Sequence, residues 1–123
     1  MGGWDVGTTV PMALGVEAAG VVLATGAAVG SFSAGDGVLT HPLQLRYQGT
    51  WAERLVAPAG TVAAKPAVVP WEVAGAFPVP ALTAEQVLTE GLSLSPGMTL
   101  LVHGAGGVTG GLVVQLAALA GWT

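Results

Sequence analysis

A glycine cluster between two apolar runs is the feature that most constrains the fold of this chain. It lies in the stretch Leu100–Ala118, which reads LLVHGAGGVTGGLVVQLAA. The first apolar run predicts a strand over Met98–Val102, entered from a turn at Pro96–Gly97. The second predicts a helix over Val108–Leu119 that ends at Gly121. The glycines therefore form the turn from a buried strand into a helix.

A strand, a glycine turn and a helix in this order are typical of a site for the pyrophosphate of a dinucleotide. Glycine lacks Cβ, so bare backbone can approach the phosphates, and the helix begins with unpaired N–H groups. Gly104, Gly107 and Gly110 fit a GxxGxxG spacing, whereas Thr109 breaks the alternative GxGxxG spacing. No lysine follows Gly110, which disfavours triphosphate hydrolysis. The alternative is that the glycines only allow close packing of helix against strand.

The first part of the chain is predicted to be rich in short strands. Apolar or alternating runs between turn residues predict strands over Val21–Ala24, Gly37–Thr40, Ala52–Ala57 and Thr61–Ala64. Helical spacing follows Pro70 in WEVAGAF and TAEQVLTEGL, two short helices that Pro78 and Pro80 separate. Thr83, with Gln86 three residues later, predicts an N-cap and a capping box at the start of the second helix.

Composition excludes several classes of partner. Three basic and seven acidic residues among 123 give a net charge of −4, so the chain has no basic patch for nucleic acid. Cysteine is missing, which excludes disulfides and thiolate metal sites and is compatible with a cytoplasmic location. The uncharged stretch 91–123 is interrupted by Pro96, His103 and Gln115, which argues against a membrane span.

Neither histidine lies in a pattern that ligates a metal. His41 precedes Pro42 in a loop, and carboxylates such as Glu17 and Asp36 show no ligand spacing relative to it. His103 ends the predicted strand, where it could touch a cofactor or a substrate, although a hydrogen bond to the backbone is the favoured role. We assign no metal site and no catalytic residue from these side chains.

Several further motifs occur in a definite order along the chain. They are LGVEAAGVV at Leu14–Val22, FSAGDGV at Phe32–Val38, GTWAERLVAP at Gly49–Pro58 and PALTAEQVL at Pro80–Leu88, followed by the glycine loop. Together they resemble the zinc-independent quinone oxidoreductase branch of the medium-chain dehydrogenases/reductases, which includes the zeta-crystallins. The resemblance covers nearly the whole chain.

This resemblance implies an α/β fold with a β-rich part. It predicts a partial GroES-like domain over residues 1–80 and the first βα unit of a Rossmann fold over residues 81–123, so the chain looks like a partial copy of the family. In zinc-dependent relatives the position of Val16 is a zinc-binding histidine. We therefore expect hydride transfer without zinc, from NADPH (NADH is not excluded) to a quinone or an enone.

The resemblance also implies which residues bind the cofactor. The positions expected at the pyrophosphate are Gly104, Gly107, Val108, Thr109 and Gly110. Thr83 is expected near the nicotinamide, although its local sequence fits a helix cap equally well.

These expectations describe an NAD(P)H-dependent oxidoreductase acting on a small molecule, incomplete as this chain alone. A lone βα unit would expose a sheet edge and the apolar residues Leu112, Val113, Leu116 and Leu119. Such a face predicts a homo-oligomer or completion by another chain. The alternative function is a catalytically silent assembly or interaction protein that retains part of the fold.

Overall fold

The computed structural model describes residues 11, 13–42, 49–95 and 97–123. The chain divides into two compact units, Met1–Pro78 and Val79–Thr123. The first unit contains a small antiparallel sheet and a short helix, and the second contains most of the helical residues. Pro96, in the predicted turn, lies outside the described residues.

The sheet of the first unit consists of three short antiparallel strands in sequence order, β1 (Ala18–Val21), β2 (Gly37–Thr40) and β3 (Val62–Ala64). Leu39 in the central strand pairs with Ala19 on one side and with Ala63 on the other. The chain reverses between β1 and β2 at Gly35, whose φ of +98° lies in the left-handed region that favours glycine.

Two of the predicted strands in this sheet are confirmed and one is wrong. The strand predicted over Gly37–Thr40 is β2, and β3 lies within the predicted Thr61–Ala64. The strand predicted over Val21–Ala24 is wrong, because β1 ends at Val21. The residues of β1 read AAGV, mostly weak strand formers, so pairing with β2 and not local propensity determines where this strand lies.

The strand predicted over Ala52–Ala57 is also wrong. The N–H of Trp51 donates to the carbonyl of Leu14 at 2.7 Å, but within the described ranges no strand includes residues 52–57. The side chain of Val56 is 96% exposed. An alternating apolar pattern does not by itself supply the hydrogen-bonded neighbour that a stable strand needs.

The segment 13–17, which precedes β1, is fixed through its carbonyl groups. Three backbone N–H groups donate to its first three carbonyls at 2.7 to 3.1 Å. The Thr50 hydroxyl donates to the carbonyl of Glu17 at 2.6 Å, and Nδ1 of His41 donates to the carbonyl of Val16 at 2.5 Å. Each of the five carbonyls therefore accepts a hydrogen bond, and the His41 ring has a structural role.

A short helix, α1 (Trp71–Gly75), packs against β1 and buries Ala74 completely. It is shorter than the predicted run of residues 71–77. Lys65 stands beside its first turn, with Nζ 4.6 Å from the centroid of the Trp71 ring. A cation–π contact of this kind stabilises by about 0.5–1 kcal/mol at an exposed site.

Two helices, α2 (Pro78–Gln86) and α3 (Val108–Leu119), lie in the second unit, except that Pro78 itself ends the first. The predicted bounds of α3 are confirmed. Helix α2 begins with prolines, which are tolerated in a first turn because the missing N–H would have no helical partner there. It continues into a π-helical turn at Val87–Gly91. Thr83 thus lies inside α2, so the predicted N-cap and capping box at Thr83 are wrong.

The core of the second unit lies between these two helices. It consists of buried Ala84, Leu88 and Val113, and partly buried apolar residues pack around it: Leu94, Leu100, Val102, Leu112, Leu116 and Trp122. The prediction that α3 exposes its apolar face is therefore wrong for Leu112, Val113 and Leu116. It holds for Leu119, which is 86% exposed. That prediction treated the βα unit as isolated, whereas the preceding helix covers most of the face.

A pair of hydrogen bonds joins the start of the predicted strand Met98–Val102 to the residue at the end of the chain. The N–H of Leu100 donates to the carbonyl of Thr123 at 2.7 Å, and the N–H of Thr123 donates to the carbonyl of Met98 at 3.4 Å. This exchange is the pattern of two parallel strands. The prediction of a regular strand is wrong, since residues 98–102 contain none, but the chain after α3 returns in parallel beside them.

The core predicts unequal effects for two leucine substitutions. Leu88 is 5% exposed, so Leu88→Ala should lower the free energy of unfolding by about 2–5 kcal/mol. Leu119 is 86% exposed and serves as the matched control, for which Leu119→Ala should change that free energy by less than about 0.5 kcal/mol. Urea denaturation followed by circular dichroism measures both, and equal effects would contradict this assignment of the core.

Candidate functional site

The glycine loop turns tightly between the extended segment and α3. Gly104 has a φ of +85°, a conformation that a residue with a side chain rarely adopts. Its carbonyl accepts a hydrogen bond from the N–H of Gly107 at 3.0 Å, which closes the turn. A Cβ added at Gly106 would meet no atom within 4 Å, so the tip of the loop faces open space.

Helix α3 approaches this loop more closely than any side chain would allow. A Cβ added at Gly110 would lie 2.3 Å from the carbonyl oxygen of Gly104 and 3.1 Å from Cα of Ala105. Gly107 has no comparable restriction, since a Cβ there would lie 3.5 Å from the same oxygen. Close packing therefore explains the glycine at position 110, and the alternative interpretation of the loop holds for that position. It does not explain the glycine at 107.

The first turn of α3 presents backbone N–H groups that have no helical partner. Gly107 is the N-cap, and the first helical bond runs from the N–H of Gly111 to its carbonyl at 2.8 Å. The N–H groups of Val108, Thr109 and Gly110 precede that bond and have no carbonyl to reach within the helix. No side chain caps them, and the first turn contains no acidic residue. The positive end of the helix dipole is thus open to an anion.

A groove of about 360 Å³ lies beside the loop and the first turn of α3. Its lining is mainly apolar and consists of Val87, Leu92, Leu100, Leu101, Val102, His103, Gly104, Thr109, Gly110 and Val113. The structure thus brings together three of the predicted cofactor residues, Gly104, Thr109 and Gly110. Sequence reasoning missed Val87 and Leu92, because no local pattern shows which apolar side chains of a preceding helix reach a groove.

The other predicted site residues are placed differently. Gly107 and Val108 adjoin the groove in sequence, and Val108 is 71% exposed. Thr83 does not belong to the lining, and its hydroxyl donates to the carbonyl of Val79 at 2.8 Å. That bond is made within α2 and replaces the predicted cap. Contact of any of these residues with a cofactor remains a prediction.

His103 does not have the role favoured for it by the sequence. It is exposed at the edge of the groove, and its imidazole forms no hydrogen bond with any residue that the structure describes. The favoured backbone hydrogen bond is therefore wrong. The ring therefore has no hydrogen-bond partner among the described residues and can bind another group.

Among the described residues, no group of three or more His, Cys, Asp or Glu side chains could hold a metal ion. In the same ranges, no helix combines the length and the apolar character that crossing a membrane requires.

A family model matches more than half of the chain. The model for the alcohol dehydrogenase GroES-like domain covers residues 1–67. The chain belongs to this family. The synaptic vesicle membrane protein VAT-1 homolog of Mus musculus is 38% identical to the chain over 106 residues, which are 86% of the chain and 25% of that protein. Enoyl reductases are among the further relatives. The chain spans about a quarter of the length of the curated relatives that it matches first.

Solved structures of related proteins match most of the chain. A quinone oxidoreductase of Pseudomonas syringae matches with a TM-score of 0.79 at 32% identity, over 95% of this chain and 35% of that one. A mycobacterial protein solved with NADPH matches with a TM-score of 0.78 at 32% identity, over 94% and 35% of the two chains. The predicted fold class, a partial GroES-like domain followed by a βα unit, is confirmed. The resemblance to the quinone oxidoreductase branch is confirmed as well.

The loop geometry predicts that two adjacent glycines of α3 respond differently to alanine. Gly110→Ala should lower the free energy of unfolding by about 1–3 kcal/mol, because the new methyl group overlaps the Gly104 carbonyl. Gly111→Ala is the matched control, since its Cβ would meet nothing closer than 3.4 Å. It should be neutral or stabilise by up to about 1 kcal/mol through helix propensity. Thermal unfolding measures both, and a stabilising Gly110→Ala would contradict the described packing.

Proposed function

We propose that this chain forms part of an NAD(P)H-dependent oxidoreductase that reduces quinones or enones without zinc. The observation that carries the proposal is the uncapped first turn of α3 beside the glycine loop and the groove. The family match supports it, because the relatives include a quinone oxidoreductase and a protein solved with NADPH. Enoyl reductases among the relatives support an enone as the alternative substrate.

The residues present fit the diphosphate of a nicotinamide dinucleotide. The N–H groups of Val108, Thr109 and Gly110 would donate to the phosphate oxygens, in the way helix N-termini bind anions. Gly106 leaves open space, and a Cβ added at Gly107 would lie 3.5 Å from the Gly104 carbonyl oxygen, an ordinary contact, so phosphate oxygens can approach the backbone of the loop. The bound cofactor supplies the hydride, and the protein supplies binding and orientation. Thr83, exposed on α2, is proposed to lie near the nicotinamide.

The proposed reaction does not use zinc. The chain has no cysteine, and the side chain of Val16 has no atom that could ligate a metal. Both observations favour a reaction in which the protein positions cofactor and substrate without a metal ion. We also propose a cytoplasmic location, which the absence of cysteine supports.

A second candidate function, an assembly or interaction protein without activity, has one observation in its favour. Leu101 and Leu119 are 92% and 86% exposed, and large apolar side chains with this exposure are common where another chain or segment covers them. The two candidates differ in one property that is directly measurable. The oxidoreductase binds a nicotinamide dinucleotide at the glycine loop, and the silent protein does not.

Substitution of Gly107 tests the proposed site. Its φ of −85° and ψ of 166° suit valine, so Gly107→Val should fold while its methyl groups cover the first-turn N–H groups. We expect the Kd for NADPH, measured by isothermal titration calorimetry, to rise at least about tenfold, which corresponds to about 1.4 kcal/mol.

The matched control for this titration is Gly60→Val in the first unit. A Cβ added at Gly60 meets nothing within 4 Å, so this variant should bind NADPH like the wild type. Absence of NADPH binding by the wild-type chain would favour the silent protein. Equal Kd values for Gly107→Val and the wild type would overturn the assignment of the loop.

A further inference from the structure

We propose that the imidazole of His103 is a hydrogen-bond donor to the cofactor diphosphate and works together with the N–H groups of α3. This inference rests on the proposed function and deepens it, because it names a side chain that binds the diphosphate. The sequence allows two roles for His103, and the structure removes the hydrogen bond to the backbone.

His103 lines the same groove as Gly104, Thr109 and Gly110, and it directly precedes the left-handed turn at Gly104. The ring is exposed and forms no hydrogen bond with any described residue. Both ring nitrogens are therefore available to a ligand that enters the groove beside the loop.

The sequence around His103 is uncharged, since the stretch from Gly91 to Thr123 contains no Asp, Glu, Lys or Arg. Among the described residues that line the groove, His103 is the one with a titratable side chain. The carboxylates Glu85 and Glu90 belong to the helical stretch that contributes Val87, but neither lines the groove. Helix α3, on the other side, contributes no charged group.

The proposed ligand is an anion. Its diphosphate brings negative charge to a site whose other donors are neutral backbone N–H groups. A histidine ring carries an N–H group that can donate to a phosphate oxygen. His103 is thus suited to add a side-chain donor to the backbone donors of the site.

NAD⁺ is the appropriate probe for this contact, because it carries the diphosphate without the 2′-phosphate of NADPH. The Kd for NAD⁺ is measured by calorimetry on the wild type and on His103→Ala, which removes the imidazole. We expect this Kd to rise about three- to fivefold in the variant, the range of one modest hydrogen bond.

His41→Gln is the matched control, because the chain contains two histidines and this variant removes the other one. Its amide can still donate to the Val16 carbonyl, so the variant should bind NAD⁺ with the Kd of the wild type. If His103→Ala also binds NAD⁺ with the Kd of the wild type, this inference is overturned while the cofactor site stands. If the wild type binds neither NAD⁺ nor NADPH, the proposed function fails, and the inference fails with it.

Discussion

The contact between Gly110 of α3 and the carbonyl of Gly104 is the constraint on which the second unit depends. Any side chain at position 110 would overlap that carbonyl, since even a Cβ would lie 2.3 Å from its oxygen. The contact holds the start of the helix directly against the turn of the loop. It also fixes where the first-turn N–H groups lie, and it places the helix so that Val113 reaches the core shared with Ala84 and Leu88.

The candidate site follows from the same contact. The helix begins without a capping side chain or an acidic residue, so its N–H groups remain for a ligand. The groove beside it is mainly apolar and includes one imidazole that forms no hydrogen bond with a described residue. The helix dipole and the open N–H groups together favour an anion, and the diphosphate of a nicotinamide dinucleotide is such a group.

Sequence reasoning was most successful where local chemistry determines structure. The bounds of α3 and β2 could be predicted, because glycines and turn residues mark their ends. It failed where pairing with another segment determines whether a strand forms. The weak strand residues of β1 are selected by pairing with β2, and the alternating Ala52–Ala57 has no strand partner in the described ranges. At the site, the glycine spacing was informative, but the role of Thr83 depended on where α2 begins and that of His103 on the exposure of its ring, which spacing does not reveal.

We propose that the first-turn N–H groups of α3 hold the cofactor diphosphate. The most direct measurement is a two-dimensional ¹H–¹⁵N NMR titration of the chain with NADPH, which observes those amides individually. We expect the largest shifts at Val108, Thr109 and Gly110, and smaller shifts around Gly104–Gly107. The absence of shifts at these amides, or shifts confined to the first unit, would contradict it.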